Sequence, residues 1–72
     1  MKNIYLLEAL QTKLAGEMAL HKANIRVYME NSTGIGEHPQ IIEALESEIA
    51  ALAESSEKYD TVVYLLSEEY RA

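Results

Sequence analysis

Two apolar runs at steps of three and four residues, separated by a short segment rich in glycine and turn-forming residues, are what most constrains this chain. In the first run, Leu7, Leu10, Leu14, Met18, His21, Ile25 and Tyr28 fall on one helical face, and no proline interrupts them. Ala15, Ala19 and Ala23 form a second stripe with Gly16 beside it, and small side chains there permit a close approach by another helix. The second run reads Ile42, Leu45, Ile49, Leu52, Ser56, Tyr59, Val63, Leu66 and Tyr70, an alternation of threes and fours whose apolar character only Ser56 breaks.

Between the runs, Asn31-Ser32-Thr33-Gly34-Ile35-Gly36 combines side chains that compete for backbone hydrogen bonds with glycines that accept positive φ. Pro39 suits the first position of a new helix, where its missing N–H is not needed. The pattern predicts one all-α domain over residues 1–72: a helix over about 3–31, a turn at 32–38 and a second helix over about 39–71. Glu54-Ser55-Ser56-Glu57 marks where that second helix would bend, near 55–56. The Glu54 and Lys58 pair, one turn apart, favours its continuing.

Helices of this length, roughly 40 to 50 Å at about 1.5 Å per residue, leave flanks that one hairpin cannot cover. Ile41, Val62, Leu65 and the alanine stripe lie off the expected seam. The chain has 72 residues, no cysteine, no Phe and no Trp, so disulfides cannot compensate for a thin core, and the interior draws on aliphatic side chains and the apolar bodies of five Tyr. The expectation is therefore an antiparallel helical hairpin that assembles into an oligomeric helical bundle.

The formal charge of −6 argues against binding DNA or RNA polymers, which requires an excess of Lys and Arg. That charge is uneven. Through Asn31, Lys2, Lys13, Lys22 and Arg26 balance Glu8, Glu17 and Glu30, whereas beyond it Lys58 and Arg71 face nine acids. The halves, or neighbouring subunits, are thus electrostatically complementary. Glu8 falls before any apolar run is long enough for a signal peptide or a membrane span, so an intracellular protein without membrane association is expected.

The residues suited to chemistry are few. No nucleophile, base and acid are spaced for catalysis, so an enzyme is not expected. Glu17 and His21 lie one helical turn apart without a second cluster, so neither a metal nor another cofactor is expected, and a buried or interface role for His21 is favoured. Gly34 and Gly36 lead into a helix N-terminus, where backbone N–H groups can face an anion, although hairpin geometry alone accounts for them. Lys22 and Arg26 repel each other one turn apart and call for something acidic: Glu30, a carboxylate of the second helix, or a ligand phosphate. With a phosphate there, Tyr5 or Tyr28 would offer a ring for base stacking.

An amphipathic helix, the turn Gly34-Ile35-Gly36-Glu37-His38-Pro39, and a second acidic helix together resemble short helical proteins encoded by tailed bacteriophages. Within that population the chain is similar to the anti-CBASS sponge family. The resemblance implies a small homo-oligomer in the cytoplasm of the bacterial host that sequesters cyclic di- or trinucleotide immune signals between subunits without cleaving them. No ligand residue of that family is carried over to a numbered position here. The residues proposed to meet such a ligand, read from their chemistry, are Tyr5, His21, Lys22, Arg26, Tyr28, Gly34 and Gly36. The contrasting expectation is an acidic helical interaction module that docks on a host or virion protein through its apolar flank.

Overall fold

The computed structural model describes residues 4–30 and 38–71, with side chains for 4–30 and 40–68. Helix α1 spans Ile4–Glu30 and α2 spans His38–Arg71, the latter continuous through Ser55 and Ser56. The expected glycine turn, with Gly34 and Gly36, lies outside the described residues, as does the side chain of Tyr70. The two helices pack side by side in a rod of 57 × 13 × 13 Å. Its length is set by α2, whose 34 residues span about 51 Å at ~1.5 Å each.

Cross-helix contacts fix the orientation. Gln11 meets Tyr59, Glu17 meets Ser55 and His21 meets Glu48, so positions that rise along α1 fall along α2. The pair is an antiparallel hairpin. Its buried apolar core is Leu14, Val62 and Leu66, with Ile4, Leu7 and Tyr59 packed against it, and it occupies the end of the rod remote from the connection. Burying such side chains stabilises by about 1.5–3 kcal/mol each, while ordering costs about 1–2 kcal/mol per residue. Among the described residues, three buried apolar side chains are a small core for so long a rod.

The inward face of α2 differs from the one its pattern suggested. Leu45, Leu52, Tyr59 and Leu66 do turn toward α1, but Ile42 is 65% exposed, Ile49 50% and Val63 41%. Ile41, Glu48, Ser55 and Val62 take the places between. Ile41 and Val62 were expected off the seam and belong to it. Both readings alternate threes and fours and share every second position, so periodicity does not separate them. What separates them is α1, which supplies hydrogen-bond donors and acceptors opposite Glu48 and Ser55. On α1 itself, Leu7, Leu14, Met18, His21, Ile25 and Tyr28 face inward as expected. Leu10 does not. It is 41% exposed, and half-buried Gln11 replaces it, its amide donating to the Tyr59 hydroxyl at 3.5 Å.

Candidate interaction surface

The middle of the seam is polar. The His21 ring N–H donates from Nδ1 to Glu48 Oε1 at 2.8 Å, and the Asn24 amide donates to the same oxygen at 3.2 Å. Those donors, the His21 ring first and then Asn24, hold the Glu48 carboxyl below its ordinary value, against a partial desolvation that raises it. Farther from the connection, Ser55 donates its hydroxyl to Glu17 Oε1 at 3.2 Å, and Lys13 pairs with the other oxygen. The Lys13 hydrogen bond is the largest cause holding Glu17 low, with Ser55 assisting. Among the described residues no buried side-chain nitrogen or oxygen lacks a partner. His21 is thus an interface histidine committed to a carboxylate on the other helix. Among the described residues no group of three His, Cys, Asp or Glu is placed to hold a metal ion.

In an antiparallel pair, the residues immediately before each seam position fall on one flank and those immediately after fall on the other. On the first flank, beside the small core, lies an apolar groove of about 310 Å³ lined by Leu7, Leu10, Leu14, Val62 and Leu65, with Glu57, Lys58 and Thr61 at its edge. Leu10 precedes seam residue Gln11 and Leu65 precedes Leu66, which is why these two leucines form its mouth. Sequence reading placed Leu10 inside the hairpin and so missed the groove. The available signal was Gln11, a polar residue at a core position with Tyr59 to satisfy it.

The second flank carries the other predicted contact residues. Lys22 follows His21, and Arg26 lies one turn farther on; both are exposed and make no ion pair among the described residues. Tyr28 is half-buried nearby in the seam. Tyr5 is exposed but lies seventeen residues from Lys22 along the same helix, roughly 25 Å at ~1.5 Å per residue. One chain therefore does not bring Tyr5 together with the basic pair. The same flank displays Ile42, Ile49 and Val63 of α2. No described helix is long and apolar enough to cross a membrane. Compared with known proteins, the chain matches no family model, no curated protein and no solved structure.

Proposed function

We propose that this chain is a binding module rather than an enzyme, and that its groove receives one amphipathic helix of a host or virion protein. The observation that carries this is the leucine-lined groove beside the small core. Such a groove takes apolar side chains spaced one turn apart on a partner helix. Glu54 and Glu57 are exposed on the α2 side of the groove, in a chain of net charge −6, so the partner helix carries basic residues on its flanks.

The test is capture from host extract with a photocrosslinking residue at Thr61, on the groove edge. The expected result is labelling of one basic amphipathic segment in a stoichiometric partner, lost in Leu10→Lys. Equal capture by Leu10→Lys, or labelling of segments without that pattern, would overturn the proposal.

A second reading, the phage-encoded sponge, is favoured by one observation: Lys22 and Arg26 stand exposed without an ion pair among the described residues. In this reading an oligomer in the bacterial cytoplasm holds the phosphates of a cyclic di- or trinucleotide at that pair. Because Tyr5 is remote within one chain, its ring would have to come from a neighbouring copy. Binding to the folded state alone raises stability by RT ln(1 + [L]/Kd), so a panel of such nucleotides should raise the melting temperature. Lys22→Ala and Arg26→Ala should abolish the rise, and a panel without any shift ends this reading.

A further inference from the structure

We infer that the flank opposite the groove is the interface between two copies of this chain, which form an antiparallel four-helix bundle. Three observations point to a second copy. First, Ile42, Ile49 and Val63, with Ser56 between them, recur in steps of seven directly beside the seam. A stripe in steps of seven stays aligned with a supercoiled seam over its whole length, which a helix needs when it has two neighbours. The hairpin provides one.

Second, the surface is large for a chain of this mass. A folded chain of 8.1 kDa should expose about 4,500 Å², and this one exposes 5576 Å². The excess of roughly 1,000 Å² is comparable to the ~800 Å² that each partner buries in a standard interface.

Third, the charges match under one symmetry. Seam residues Ile25 and Leu45 lie nearly level, given that His21 and Asn24 both reach Glu48. Arg26 and Glu46, which follow them, therefore edge the same flank on opposite helices, and neither forms an ion pair within the chain among the described residues. A two-fold axis along the rod lays α1 of each copy antiparallel on α2 of the other. That operation brings Arg26 level with Glu46 of the second copy, twice per dimer, and closes the Ile42, Ile49 and Val63 stripes into a shared core.

This inference is independent of the groove, which it leaves open on the outer surface. Sedimentation velocity of the full chain across a concentration series tests it. The wild type should sediment as two chains, and Ile49→Glu as one chain that keeps its helical circular dichroism. Arg26→Glu and Glu46→Arg should each weaken association roughly tenfold, since each replaces two attractive rim pairs by two repulsive ones. The double variant should recover it. Because Arg26 and Glu46 are exposed, this swap remains decisive even where Ile49→Glu perturbs folding. A mass other than two chains, a dimer indifferent to Ile49→Glu, or a double variant no better than the singles would overturn the inference.

Discussion

Val62 and Val63 are adjacent, identical in chemistry and opposite in environment, at 4% and 41% exposed. Substituting each by alanine makes the same change to helix propensity and to the unfolded chain, so the difference between them reports which face of α2 meets α1. Val→Ala removes two carbons, about 0.8 kcal/mol each when fully buried, and Val62 leaves a gap against Leu14 and Leu66 that relaxes only in part. Val62→Ala should therefore cost about 2 kcal/mol. Val63→Ala in dilute protein should cost less than about 1 kcal/mol, because much of that side chain is already in water. Urea unfolding followed by far-ultraviolet circular dichroism measures both, with unchanged slopes confirming that the midpoints can be compared. As concentration rises and the second flank is covered, the cost of Val63→Ala should grow while that of Val62→Ala should not. Equal costs in dilute protein, or a larger one at Val63, would refute the assignment of Ile41, Glu48, Ser55 and Val62 to the seam.

Two further outcomes follow from the geometry. A Cβ added at Gly16 would meet nothing within 4 Å, so Gly16→Ala should stabilise the exposed middle of α1 by about 0.5–1 kcal/mol, seen as a higher melting temperature; destabilisation would mean another element packs there. Glu48 is held below its ordinary 4.5, so the folded chain takes up its proton less readily than the unfolded chain. Its stabilising contribution is complete above about 4.5 and is lost as pH falls through the depressed folded value. Glu48→Gln should therefore be less stable than wild type near neutrality, with the gap narrowing progressively on acidification. A gap that stays constant from neutral pH into strong acid would contradict the His21 and Asn24 donors as the cause.

The sequence alone was sufficient for the helices. Helical periodicity, an uninterrupted first run and the glycine segment before Pro39 are local signals, and they predict two helices, which the structure packs against each other as a hairpin. The inner face of α1 was also largely legible, because Leu7, Leu14, Met18, Ile25 and Tyr28 outnumber any rival stripe. On α2 two stripes one residue apart compete, and the more apolar of them, with Ile42, Ile49 and Val63, looks like the better core when that helix is read in isolation. The tertiary structure selected the other, since Glu48 and Ser55 are acceptable inside only when His21, Asn24 and Glu17 stand across from them. Those partners lie 24 to 38 residues away in sequence, beyond the reach of any local pattern. That choice turns the isoleucines outward and opens the leucine groove on the other flank. Which side of an amphipathic helix becomes the interface is decided by its neighbour as much as by its own residues, because a buried polar group costs free energy unless that neighbour satisfies it.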